Sequence, residues 1–84
     1  LLEHLKQAAQ LSIGTKQTTK VVEEGKASEV FIAKDADPRL TSKIVSLCKK
    51  TGIPIVYAES MKQLGRACGI DVGAAMAAIV KTEP

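Results

Sequence analysis

Lys16 and Lys20 sit four residues apart in the stretch Gly14-Thr15-Lys16-Gln17-Thr18-Thr19-Lys20. If that stretch is helical, the two ammonium groups share one face and form an anion-binding row. Their placement runs against the helix dipole. A helix start carries partial positive charge and unpaired N–H groups, and so favours acids. Here Lys16 occupies the first turn, and the far end, Val21-Val22-Glu23-Glu24-Gly25, puts acids where cations are preferred. Like charges at i,i+4 cost about 0.2–0.5 kcal/mol more. Broken local rules of this kind mark functional surface. A polyanion at the helix start reverses the penalty. Gly14 suits the same chemistry, because a residue without Cβ lets a phosphate approach backbone N–H groups.

Other candidates lie further along. Lys34 and Lys62 each follow an apolar run of strand type, on the usual ligand side of an α/β sheet. Both are candidate phosphate contacts. Asp37 precedes Pro38 and reads first as a helix cap, while Asp35 reads as organising the turn. As a pair they also suggest a magnesium or phosphoacceptor site, a minor alternative. Ile70 and Val72 flank Asp71 in a loop bounded by Gly69 and Gly73. Branched apolar residues in a short loop are either a contact surface or plugs on the core. Gly65 reads as a close-packing position and Arg66 as surface. His4, Cys48 and Cys68 read as structural.

Composition narrows the classes. The chain has 84 residues, 45% apolar and 25% charged, with net charge +3. That length suits one domain with a modest core. The mildly basic balance permits a nucleic-acid partner. Phe31 and Tyr57 are the only aromatics, too few for recognition by base stacking. Two cysteines within apolar patterns read as free thiols in a reducing compartment, and with one histidine no zinc cluster is expected. No metal or other cofactor is expected. No apolar run reaches about 18 residues, so no membrane-spanning helix is expected. The opening Leu1-Leu2-Glu3-His4, followed by Lys6 and Gln7, reads as helix and not as a signal peptide.

The elements that must position these residues follow from periodicity. Leu1, Leu2, Leu5, Ala8 and Ala9 predict an amphipathic helix over 1–11, with Ser12-Ile13-Gly14 a short extended link. A helix over 15–24 buries Thr18, Val21 and Val22 and stops at Gly25. Val30–Ala33 predicts a strand buried on both faces. Asp37-Pro38 opens a helix whose stripe is Leu40, Ile44, Leu47 and Cys48, closed by Lys49 and Lys50 before Gly52. Residues 53–58 predict a second buried strand. Ser60 with Gln63 forms a capping box for a helix carrying Leu64, Ala67 and Cys68 inward. Ala74 to Val80 predicts a last, Ala-rich strand. Alternation of helix and strand with short connections predicts an α/β fold, a sheet sandwiched between helices.

Four stretches together resemble the ribosomal protein L7Ae family, which binds kink-turn RNA, in its short bacterial form. Residues 14–20 match the family's Gly-Ala-Asn-Glu-x-Thr-Lys. Ile32-Ala33-Lys34-Asp35-Ala36-Asp37-Pro38 matches its Ala-x-Asp-x-x-Pro segment, Leu64-Gly65-Arg66-Ala67-Cys68-Gly69 its Leu-Gly-x-Ala-x-Gly, and Ile70–Ala75 the loop before the last strand. The resemblance covers about Leu11 to Val80. It implies a three-layer α/β/α sandwich with a mixed four-stranded sheet. It implies recognition of an RNA bend built on tandem G·A pairs beside a bulge, with Gly14, Thr15, Lys16, Gln17 and Lys20 at the G·A pairs. Ile70, Asp71 and Val72 would cover the bulged nucleotides, and Asp37 would meet a bulged base. Lys16 replaces the family's Asn, Gln17 its Glu, and Val72 an arginine of some relatives; the basic residue common early in the capping-box helix falls at Met61, beside Lys62.

The resulting expectation is a cytoplasmic, monomeric, non-catalytic RNA-binding domain spanning 1–84, free or ribosome-associated, on ribosomal, riboswitch or related RNA. The rivals are an integral large-subunit ribosomal protein, a small receiver-like phosphotransfer domain suggested by the acids after the first buried strand, and a protein adaptor using the Ile70/Val72 loop.

Overall fold

A computed structural model describes residues 2–8 and 10–81. Eight elements follow one another: α1 (Glu3–Gln7), β1 (Leu11–Ile13), α2 (Thr15–Glu23), β2 (Ala27–Ala33), α3 (Pro38–Thr51), β3 (Ile55–Ala58), α4 (Met61–Ala67) and β4 (Met76–Val80). The sheet has the order β1-β4-β2-β3. β4 runs antiparallel to both β1 and β2, and β2 runs parallel to β3. This is the mixed four-stranded sheet that the resemblance implied.

β2 shows why three layers form. Its residues alternate sides, as the two-residue strand period requires. Val30 and Ile32 face one way and join Val21 and Val22 of α2, Ile44 and Cys48 of α3, and Met76 and Ala78 of β4. Phe31 and Ala33 face the other way and join Leu5 of α1 and Leu64 and Ala67 of α4. Phe31, Val30, Ile44 and Leu64 are almost fully buried. Each face of the sheet therefore carries its own helix pair and its own core.

The structure corrects three expectations. The helix predicted over 1–11 ends at Gln7, and Ala8 is already extended. Leu11 to Ile13 instead pair with β4, and the Val80 N–H donates to the Gln10 carbonyl at 3.1 Å. Leu11 fits an apolar face under either period, and an open edge of β4 decides it in favour of a strand. Leu1 and Ala9 of the predicted stripe lie outside the described residues. The predicted buried strand over 53–58 is an edge strand: Ile55 and Val56 are half-buried and Tyr57 is exposed. Leu40, placed in the buried stripe, is 45% exposed.

Local signals at the other helix ends hold. The Asp37 carboxylate accepts the Arg39 N–H at 2.9 Å, and Pro38 follows at the first helical position. Ser60 accepts the Gln63 N–H at 3.0 Å. The Gln63 amide reaches back one residue further than a reciprocal box requires, to the Glu59 N–H at 3.2 Å. Cys48 is buried, Cys68 half-buried, and both are free thiols pushed up in pKa by burial. His4 meets Glu29 at 3.1 Å and ties α1 to β2.

Candidate nucleic-acid interface

The sheet topology gathers the sequence-predicted segments. β1, β2 and β3 all end where β4 begins, with Ile13 opposite Ala77, Ile32 opposite Met76, and Ala33 opposite Ala58. Backbone hydrogen bonds stitch the loops beyond. Gly14 N–H donates to the Met76 carbonyl at 2.9 Å, Ala33 N–H to Ala75 at 2.9 Å, and Lys34 N–H to Ala58 at 2.9 Å. The α2 start, the turn after β2, the α4 start and the loop before β4 thus share one end of the sheet.

Gly14 is where β1 turns into α2. Its φ of 97° and ψ of 166° lie in a region open essentially to glycine alone. Nothing lies within 4 Å of the position a Cβ would take, so conformation and not crowding demands the glycine. The same open space leaves the helix start accessible. No side chain caps α2, and no acid occupies its first turn. Its leading N–H groups therefore face outward as donors. Lys16, Gln17 and Lys20 are exposed, while Thr18 is fully buried and anchors the helix to the core. Neither lysine forms an ion pair among the described residues.

The acids after β2 serve structure. Asp35 accepts the Met61 N–H at 2.8 Å and so caps α4 from across the turn. Asp37 caps α3 and is gripped by the Arg39 guanidinium, with Nη2 at 2.7 Å from Oδ2. The Arg39 hydrogen bonds hold its carboxyl below the usual carboxylate range. Lys34 is engaged too, donating to Glu59 at 2.9 Å, with both side chains more than half exposed. A pair that wet contributes little to stability and exchanges readily. Lys62 is exposed, with no ion-pair partner among the described residues.

The loop before β4 combines both readings of its apolar residues. Ile70 packs half-buried against the α1/α4 core and donates its N–H to Gly65 at 3.0 Å. Val72 is 69% exposed, and Asp71 is exposed beside it. The loop is seated directly on α4. A Cβ on Gly65 would overlap the Val72 carbonyl, and one on Gly73 would come within 3.1 Å of Met61 Cβ. Ala74 N–H donates to the Met61 carbonyl at 3.0 Å. The close approach at Gly65 is thus to the loop backbone at Val72 and Gly73. The sequence reading missed the Lys34–Glu59 pair and the cations Arg39 and Lys43 that flank α2. The only signal of Arg39 and Lys43 is their i,i+4 spacing on α3, common on solvated helices, and the Lys34–Glu59 pair, distant in sequence, has no local signal.

Residues 1–84 match the sequence model of the ribosomal protein L7Ae/L30e/S12e/Gadd45 family. The chain belongs to this family. Within it, an RNA-binding protein of Halalkalibacterium halodurans is 53% identical over 79 residues, 94% of this chain and 96% of that one. The RNA-binding protein YbxF of Geobacillus stearothermophilus is 43% identical over the same shares. Among solved structures, a 15.5 kD RNA-binding protein of Giardia lamblia superposes with a TM-score of 0.83 at 35% identity, covering 98% of this chain and 69% of that one. The family's fold is therefore this chain's fold. The candidate site offers cationic and amide donors, the exposed Val72 beside Asp71, and two carboxylates, Asp35 and Asp37, already committed to capping.

Proposed function

We propose that this protein binds RNA, and that its target is a kink-turn-like element, with tandem G·A pairs beside a short bulge, held in its bent form. The observation that carries the reading is the convergence at one sheet end of an uncapped helix start bearing Lys16 and Lys20 with a loop that exposes Val72. The relatives named as RNA-binding proteins support an RNA partner. Regular A-form RNA hides its base edges in a deep, narrow groove. A bent, bulged element opens that groove to a helix start. Lys16 supplies a donor for guanine O6 and N7 or for phosphate, and Gln17 supplies both a donor and an acceptor. Val72 covers an unstacked bulge base, and Lys62 meets phosphate beside it. Lys34 joins by exchanging Glu59 for phosphate. Asp37 stays with Arg39 as a cap and takes no direct part unless that pair opens. Preference for the bent form over the open one shifts the RNA population toward the bend. The protein acts as a binding module with no chemical step.

Equilibrium titration tests this reading. Affinity is measured for a stem with tandem G·A pairs beside a bulge, and for the same stem made fully complementary. Tighter binding of the bulged RNA is expected. Equal affinity for both would reduce the protein to a non-specific polycation.

A further inference from the structure

A groove of about 540 Å³ runs between α2 and α3, lined by Lys16, Thr19, Lys20, Arg39, Leu40 and Lys43 with Thr15 and Glu23 at its edges. Two i,i+4 rows of cations face each other across it: Lys16 and Lys20 on α2, and Arg39 and Lys43 on α3. Glu23 is the one acid in the lining. Packing of two helices normally brings their surface rows close, which puts four like charges together at a cost. Compensation is slight: Glu23 lies in the lining, and Asp37 holds Arg39. Lys16, Lys20 and Lys43 form no ion pair among the described residues, and Arg39, with its side chain 89% exposed, holds only the cap Asp37. Thr15 and Lys16, at the α2 start, belong to its lining, so the groove adjoins the surface assigned to RNA above. Leu40 explains itself here: its 45% exposure makes it part of the groove wall.

From this charge pattern and continuity we infer that the α2/α3 groove is a second phosphate track. Its occupant is the backbone of the RNA stem leading away from the bend, held by Arg39 and Lys43 together with Lys16 and Lys20. Thr15 and Thr19 are half-buried along the groove and offer hydroxyl donors. This inference rests on the proposed function, because it needs RNA at the α2 start.

Anisotropy titrations over a range of salt test it, with a bulged G·A RNA carrying full-length stems and with one whose stems are cut back to the bend. Lys43→Gln leaves the Arg39–Asp37 pair untouched and changes an exposed residue, so the fold is preserved. It should weaken binding of the long-stem RNA several-fold and reduce the magnitude of the salt slope by about one. Arg39→Gln with Lys43→Gln should reduce it by about two. Glu23→Gln should tighten binding. The short-stem RNA should respond little to any of these. An unchanged slope in the double variant, or equal losses on both RNAs, overturns the track. So does an unchanged RNA slope with loss of poly-glutamate binding, which assigns the groove to an acidic protein. The same series separates the two claims. If the parent protein binds bulged and fully paired stems equally while the variants still lose slope, the kink-turn reading falls and the track stands.

Discussion

Lys16 and Lys20 are exposed, unpaired among the described residues, and set against the dipole of a helix whose first turn has no acid. Their removal should therefore relieve the free protein. Lys16→Ala with Lys20→Ala is expected to leave the melting temperature equal or higher while abolishing most RNA affinity. A lower melting temperature with unchanged binding would show that they serve the fold. Gly14 behaves in the opposite way. An alanine there is forced into backbone angles it avoids, at a cost of about 1–3 kcal/mol. Gly14→Ala should lower stability in a denaturant titration, and RNA affinity should fall as the helix start shifts. Val72, 69% exposed, can change without touching the core. Val72→Asp should keep the melting temperature and speed RNA dissociation, since interface changes act mainly on the off-rate. Binding like the parent's would move the loop out of the RNA footprint.

At the scale of elements, the sequence made the helices with local end signals easy to read. Asp37-Pro38 and Ser60 do what their types suggest, because a cap is decided within one turn of chain. The N-terminal helix was overread because Leu11 satisfies both periods, and its pairing partner, Ile79, is far off in the chain. Edge status of β3 was illegible for the same reason: strand order is a property of the sheet, not of the run Ile55–Ala58. Asp35 was assigned to the turn, but its partner, the Met61 N–H, lies at the next helix but one. Gly65 gives the sharpest test at this scale. A methyl group there must push the Val72 backbone away or tilt α4. Gly65→Ala should cost about 1–3 kcal/mol, as overpacking does. It should also weaken RNA binding beyond what unfolding explains, read as a change in dissociation rate on folded protein. Stability loss with unaltered binding kinetics would mean that the seat of the loop is irrelevant to recognition.

At the scale of the whole molecule, a mixed sheet of four short strands gathers segments separated by some sixty residues of chain at one end. Alternation of helix and strand makes the α/β class legible and family likeness implies the mixed four-stranded sheet, but the order β1-β4-β2-β3 is legible in neither. The antiparallel entry of β4 between β1 and β2 is what places Gly14 and Ala33 on either side of its first residues. With α2 and α3 on one face and α1 and α4 on the other, a packed core backs the sheet on each side. A rigid, preformed surface can select one bent shape of a flexible ligand. Shape selection of this kind is best read from the RNA. A stem with tandem G·A pairs beside a bulge, labelled at both ends with a donor and an acceptor dye, is titrated with the protein without added divalent cation. Energy transfer is expected to rise with saturation as the ends come together, with no rise for Lys16→Ala/Lys20→Ala. Saturable binding with the end-to-end distance unchanged would contradict it.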